Sequence, residues 1–436
     1  SLFHGNRVMI TKGALEEILD RSVSAMNAAG REVPLDEMRN EIEAGYAHYA
    51  GLGYRAIGLA TRILSADEDA ATAKDCGLMF RGMLLFLDPL KDNVRETVAA
   101  IRQEGVSLKI ITGDNALIAA NIAGQLDMDA KQIMTGSEIA ALSKDELKAR
   151  VREAELFAEV DPGQKEAIIL ALKEAGAVVG YMGDGINDAP ALHAADVGIS
   201  VESASDIAKS AASIVLLEQD LGVLLAGIRE GRKTFANTLK YIFMTTSANF
   251  GNMFSMAGIS LILPFLPLLP KQILSTNVLT DMPEVQIADD VVDAEWISRP
   301  IRWDFRMIRR FMLLFGLISS TFDYLTFFVL LRVFRADAAL FRSGWFVESV
   351  VSAALVVLII RTSKPFFQSR VGKGLCFATV LSILAAIALP YTPLGALLGL
   401  VPLPASLLAA LGLVVVCYMV TAEIAKRWFY RNGNGI

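Results

Sequence analysis

Hydrophobic positions along the chain fall into two regimes. Up to about residue 235, short apolar runs alternate with charged, amphipathic stretches; beyond it, long apolar blocks dominate. In the first regime NRVMITKGALEEIL reads as strand, turn and helix. A helix near residues 36–51 follows, and YRAIGLATRIL is a strand entered through a turn marked by Gly51 and Gly53. From about residue 81 the rhythm tightens. GMLLFLD predicts an apolar strand closed by Asp88 and Pro89, NVRETVAAIRQEG an amphipathic helix ending at Gly105, and VSLKIITGDN a strand running into a polar glycine turn. A helix around 116–126, the strand LFAEV, the helix QKEAIILALKEAG, the strand AVVGYMGDG and short strands near VGIS and SIVLL complete the series. This alternation predicts an α/β module with a parallel sheet and helices on both faces. Ligands of such sheets bind beyond the carboxyl ends of the strands. Three polar turns lie at those ends and are expected to converge: Asp88 with Pro89; Thr112, Gly113 and Asp114; and residues 183–188.

The second regime holds six apolar blocks, at roughly 239–262, 267–288, 310–332, 345–361, 375–390 and 407–425. Several approach the ~20 residues needed to span a bilayer. Basic residues gather in alternate connections: Arg299, Arg302, Arg306, Arg309 and Arg310 before the third block; Arg361, Lys364, Arg370 and Lys373 before the fifth; Lys426, Arg427 and Arg431 after the last. With six spans and a cytoplasmic first half, all three groups fall on the cytoplasmic side, as the positive-inside rule requires. Arg332, Arg335 and Arg342 fall outside and weaken the contrast without reversing it. The expectation is a multi-pass protein of the cytoplasmic membrane, with residues 1–235 and the C-terminus in the cytoplasm.

Composition changes this picture little. Hydrophobic residues make up 53% of the 436, and the net charge of −6 is too small to argue for a nucleic-acid partner. Three scattered cysteines exclude a disulfide framework or a zinc motif. The N-terminus lacks an initiator Met and any signal-peptide pattern, and reads as mid-domain.

The polar turns carry the chemistry. Gly113, Gly183 and Gly185 let backbone N–H groups approach a phosphate, and the Thr112 hydroxyl adds a donor. Asp184 is the candidate Mg²⁺ ligand, since Mg²⁺ takes oxygen ligands from one or two carboxylates plus phosphate oxygens. Asp188 orients or bridges to that shell, and Lys165 neutralises a phosphoryl oxygen as a point charge. The reaction class is phosphoryl transfer, which depends on positioning and charge stabilisation. Taken singly, Thr112, Gly113 and Asp114 read as well as a solvated turn, and Lys165 as a surface lysine.

Inside the apolar blocks, Asn249 and Asn252 share a helix face, as do Asn277, Thr280 and Asp281. A mid-membrane carboxylate costs on the order of 3 kcal/mol, so Asp281 needs a partner or ligand. Pro264, Pro267, Pro270 and Pro283 are expected to loosen block two and free carbonyls for a cation. Oxygen ligands with one carboxylate suit a hard divalent ion. The alternative for the Asn and Thr residues is interhelical hydrogen-bond glue. Asp323 is deeply placed, structural or part of a path, whereas Glu348 and Glu423 fall near span ends, where exposure is expected.

The motifs TGD, DPxxK and GDGINDAPAL, followed by membrane spans, resemble the phosphorylation domain of P-type ATPases over nearly the whole chain. The resemblance implies a partial nucleotide-binding domain (1–80), a haloacid-dehalogenase-like phosphorylation domain lacking its nucleophile strand (81–235) and a six-helix transmembrane domain (236–436). By that resemblance Lys12 lies near the adenine of ATP, Arg55 reaches its phosphates, and Asn187 belongs with Thr112, Gly113, Asp114, Lys165 and Asp188 in the catalytic set. ATP and Mg²⁺ are the implied cofactors. No DKTGT occurs, so the phosphorylated aspartate is missing; the expectation is the C-terminal part of a longer pump, inactive by itself. LPLLPKQILSTNVLTDMPEVQIADDVVD, RPIRWD, FMLLFGLISSTFDYLTFFVLL and FRSGWFVES resemble the bacterial magnesium-transporting P-type ATPases, which implies Mg²⁺ import. Calcium pumps of the family carry a glutamate where Asn252 stands. Ser275, Thr276 and Glu284 depart from the magnesium-pump pattern. The competing readings are a calcium-type pump, a membrane-anchored phosphatase-like domain, and a non-catalytic, Mg²⁺-binding regulator.

Overall fold

The computed structural model describes residues 2–3, 6–65, 68, 75–128 and 132–431. The chain divides into two units, Ser1–Leu225 and Ala226–Ile436.

In the first unit, strands β1 (Leu2–Phe3), β2 (Asn6–Gly13), β3 (Ser22–Met26), β4 (Glu32–Pro34), β5 (Tyr54–Ile63) and β6 (Leu78–Leu87) form a mixed sheet in the order β1-β2-β5-β6-β3-β4. Helices α1 (Leu15–Asp20) and α2 (Leu35–Gly51) cover it, burying Leu15, Ile18, Leu35 and Ile42 against Ala25, Ala60 and Phe80. Gly58 makes this packing possible: a Cβ there would lie 3.1 Å from Cβ of Ile18. GMLLFLD does not join the second sheet as its apolar run suggests. It is the end of β6, antiparallel to β5, while the start of β6 runs parallel to β3. An apolar run marks a strand but does not select its neighbour.

Beyond β6 the expected alternation holds. Strands β7 (Ile110–Ile111), β8 (Ile133–Thr135) and β9 (Leu156–Ala158) pair in parallel, in the order β7-β9-β8; β10 (Gly180–Met182), β11 (Val197–Val201) and β12 (Ile214–Leu216) pair in parallel in sequence order. Helices α3 (Val94–Gln103), α4 (Ala116–Gln125), α5 (Pro162–Glu174) and α6 (Ala189–Ala194) pack around them. The two-residue period of β9 puts Phe157 in a core with Ile168, Leu172 and Tyr181, and Leu156 and Ala158 in another with Val98 and Ala123. Both faces are therefore covered. The single sheet expected is instead two three-stranded ones, and among the described residues β7 and β10 are edges.

The second unit is built from α7 (Leu221–Ser260), α8 (Pro270–Val285), α9 (Phe305–Phe328), α10 (Ala338–Ile360), α11 (Lys373–Ala388) and α12 (Ala405–Arg431). Four segments are long and apolar enough to cross a membrane: Phe305–Val333, Ala338–Ile360, Lys373–Tyr391 and Ala405–Arg431. The first two blocks correspond to α7, whose leading turns are charged, and α8, whose 16 residues span only about 24 Å.

Pro270 opens α8 at its first turn, and Pro264 and Pro267 precede the helix. Only Pro283 interrupts it, depriving the Leu279 carbonyl of its helical donor. That carbonyl is not left for a cation: Ser382 Oγ of α11 donates to it at 2.8 Å. Glu348 also departs from expectation. The hydropathic block begins at 345, but α10 begins at Ala338, so Glu348 lies mid-helix and only 2% exposed. Glu423 is half-buried and paired with Lys426 and Arg427.

The helix ends are knotted at Asp290. Its Oδ2 accepts from Lys240 Nζ (2.8 Å) and Arg361 Nη1 (2.9 Å), and its Oδ1 from the Gly372 amide (3.0 Å). Asn237 of α7 donates to the carbonyls of Ala288 and Asp290, both at 3.0 Å. Burial alone would raise the Asp290 carboxyl, but Lys240, the Gly372 amide and Arg361 together hold it below the ordinary carboxylate range. Breaking a buried pair by removing one partner typically costs about 3–5 kcal/mol. Asp290→Ala should therefore lower the thermal unfolding midpoint of the second unit, read by tryptophan fluorescence; an unchanged midpoint would show that the knot contributes nothing net.

Candidate functional site

The first cluster forms where α5 meets the GDGIND loop. Asp161 caps α5 through a capping box with Gln164, and Pro162 occupies its first turn, as the DPGQ sequence dictates. One turn on, Lys165 Nζ donates to Asp188 Oδ1 at 2.7 Å. Tyr181 of β10 donates its hydroxyl to the same oxygen at 2.8 Å, and the Gly185 amide donates to Oδ2 at 3.1 Å. Burial pushes the Asp188 carboxyl up; Lys165, Tyr181 and the Gly185 amide outweigh it and hold the group below its usual value. Burial, then Asp188, raises the Tyr181 phenol. Gly183 is required here by proximity, since a Cβ would lie 2.6 Å from Cβ of Asp188. Asp184 and Asn187 are exposed on the same loop, and the Asp184 backbone carbonyl is fixed by the Ser205 amide. The loop thus separates its aspartates: Asp188 is committed to the protein and Asp184 is presented outward.

The second turn is tied to the first. The Thr112 carbonyl accepts from the Val160 amide, next to the cap of α5. Thr112 Oγ1 donates to Asp114 Oδ2 at 3.0 Å, and Arg55 Nη2 donates to the same oxygen at 2.7 Å. Gly113 packs with its Cα side toward the Val160 carbonyl. Arg55, expected to meet phosphates, is thus paired with Asp114. Since Arg55 pairs with Phe86 and Tyr54 with Leu87, the end of β6 at Asp88 lies beside this turn. Lys12 is exposed on β2 opposite Leu59, four residues along β5 from Arg55, hence on the same face and about 13 Å away along the strand. No described contact joins Lys12 to the loop cluster.

In the second unit, one cavity of about 180 Å³ gathers Asn249 and Asn252 of α7 with Asn277, Thr280 and Asp281 of α8. Glu284, Thr245, Ser319, Ser349, Ser352 and Tyr418 complete its polar lining. The Thr280 hydroxyl donates back to the carbonyls of Thr276 and Asn277, leaving its lone pairs free. Thr245 Oγ1 donates to Glu284 Oε2 at 2.8 Å, so the cavity holds a second carboxylate. Asn249, Asn277 and Asp281 are exposed, which leaves the cavity open on their side. The serines were not legible in sequence, because single small polar residues in apolar helices are common glue. The one signal was the three-residue spacing of Ser349 and Ser352. Tyr181 was read only as part of a strand core.

Comparison with known proteins agrees with both clusters. Residues 3–93 match the family model described as P-type ATPase, cytoplasmic domain N, and residues 265–428 that described as cation transporting ATPase, C-terminus. The chain is 44% identical over 431 residues to the magnesium-transporting ATPase, P-type 1, of Escherichia coli K12, covering 97% of this chain and 48% of that protein. It is 42% identical over 438 residues to the Salmonella typhimurium LT2 protein of the same name, covering 98% and 48%. A calcium-transporting ATPase of Bacillus subtilis is 33% identical over 301 residues, covering 68% and 34%. The chain spans about half the length of the curated relatives named here.

A carboxyl held low in the fold contributes stability that is complete above its unfolded value of about 3.9 and is lost as pH falls through the folded value. Asp188→Asn should therefore lower hydrogen-exchange protection of the β10 and β11 amides at pH 7, by about 1–3 kcal/mol for a charge-assisted set. Below about pH 4 the gap to wild type should shrink. An equal gap at both pH values would show that Asp188 acts through shape alone.

Proposed function

The chain belongs to the P-type ATPases, and on that premise we propose that it is part of an ATP-driven pump that moves a divalent cation, Mg²⁺ into the cytoplasm, across the cytoplasmic membrane. The observation that carries this reading is the cavity: Asn249, Asn252, Asn277, Thr280 and Asp281, from two helices, line one oxygen-rich space with Glu284. An all-oxygen lining with carboxylates suits a hard divalent ion that keeps part of its water. The names of the E. coli and Salmonella relatives favour Mg²⁺ over Ca²⁺ as that ion. In this reading α7 and α8 complete a set of six crossing helices, with the first unit and the C-terminus cytoplasmic. Exposed Asn277 and Asp281 are costly against lipid, so a further element covers the open side of the cavity.

In the first unit, ATP lies along the face shared by Lys12 and Arg55. Asp184 fits a catalytic Mg²⁺, because it is the loop carboxylate not already taken by protein donors. When bound, that ion bridges phosphate oxygens and neutralises their charge. Lys165 keeps Asp188 ionised and retains further N–H donors for a phosphoryl oxygen. Thr112 and the amides around Gly113, Gly183 and Gly185 cradle the transferred group, with Asp114 and Asn187 flanking it. The accepting aspartate is not among these 436 residues. A single parallel strand between the edges β7 and β10 would unite the two small sheets and could carry it.

The test uses a protein with the full length of the relatives. Asp281→Asn should abolish Mg²⁺-stimulated ATP hydrolysis with the fold intact, since the cavity loses a carboxylate; undiminished stimulation would sink the cavity as the transport site. In the same assay Asp184→Asn should suppress phosphoenzyme formation. Stimulation by Ca²⁺ in preference to Mg²⁺ would overturn the choice of ion.

A further inference from the structure

Asp323 and Glu348 lie outside the cavity lining, and the proposed reaction uses neither. They stand on neighbouring helices, α9 and α10, 4% and 2% exposed. Trp345, one turn before Glu348, donates its Nε1–H to Asp323 Oδ1 at 3.0 Å; Ser255 of α7 donates to Oδ2 at 2.6 Å. The tryptophan bond brings Asp323 alongside the turn that carries Glu348.

Glu348 is less well provided for. Its Oε2 has no hydrogen-bond partner. Thr326, fully buried one turn beyond Asp323, sits against the same carboxylate, yet its hydroxyl also lacks a partner of sound geometry. Among the described residues no Lys, Arg or His pairs with either acid. The neighbours that could titrate are Tyr418 of α12, beside both, and Asp281 and Glu284 of α8, in the adjoining cavity whose wall includes Tyr418 and Ser352. The single charge of α11, Lys373, is at its first residue, and Arg342 of α10 turns away to the Leu266 carbonyl.

Two carboxylates this close, sealed from water and without a counter-charge, cannot both stay ionised. A metal ion is the poorer neutraliser. Phe327, Phe341 and Trp345 crowd the site, and a hard cation wants about six oxygens around it. We propose that Asp323 and Glu348 form a protonation site at the cavity wall, with Glu348 the carboxylic acid and Asp323 the carboxylate. Ser255 and Trp345 donate to Asp323 and so stabilise its charge, whereas the partnerless Glu348 oxygen carries the proton, taken from water.

Infrared spectroscopy of the 436-residue chain in lipid nanodiscs at neutral pH tests this. The expected result is a carbonyl-stretch band of a protonated carboxylic acid, shifted in D₂O and moved further by ¹³C-labelling of glutamate carboxyls. Glu348→Gln should remove it, while Glu284→Gln and Asp281→Asn should leave it. No such band in the wild type, a band that answers to labelled aspartate only, or one that persists in Glu348→Gln would overturn the proposal. Because the labelling arm uses the unmutated chain, a variant that fails to fold does not shelter it.

Discussion

A carboxylate sealed from solvent must find its counter-charges within the protein, and in the second unit Asp290 finds them on three different helices. Lys240 arrives from α7, Arg361 from the end of α10 and the Gly372 amide from the threshold of α11. Desolvating such groups is expensive, and their mutual attraction repays it only with near-ideal geometry. The knot therefore acts less as a reservoir of stability than as a fixed register. Shift any one of these helices by a turn and a buried charge loses its partner. The cavity on α7 and α8 depends on that register, since its asparagines and acids come from separate helices.

The first unit solves a similar problem on a smaller scale. Asp188 collects a lysine, a phenol and an amide from three elements, and the close fit of Gly183 leaves no room for another side chain. Its neighbour Asp184, four residues earlier, is left outward-facing. One short loop thus makes a structural carboxylate and an available one from the same residue type. The distinction arises from donors and burial, not from sequence spacing.

How much of this was legible follows the same line. Periodicity found the strands and helices of the first unit because each buries a face, and DPGQ gave the cap of α5 outright. It could not assign the β6 strand to a sheet, because partner choice is a long-range property. The polar cavity residues were legible at helical spacing in otherwise apolar blocks. Glu348 was not: Arg342, Ser343 and Gly344 break the hydropathic run, so a mid-helix acid looked terminal. The prolines of block two were read as loosening the helix, and only Pro283 does so.

That remaining break has been filled from outside. With the Ser382 hydroxyl on the Leu279 carbonyl, the gap in α8 is closed by a neighbour and not by a bound ion. The helix can then keep one shape whether its cavity is full or empty. A site that need not mend its own backbone when vacated can release what it holds without first rearranging.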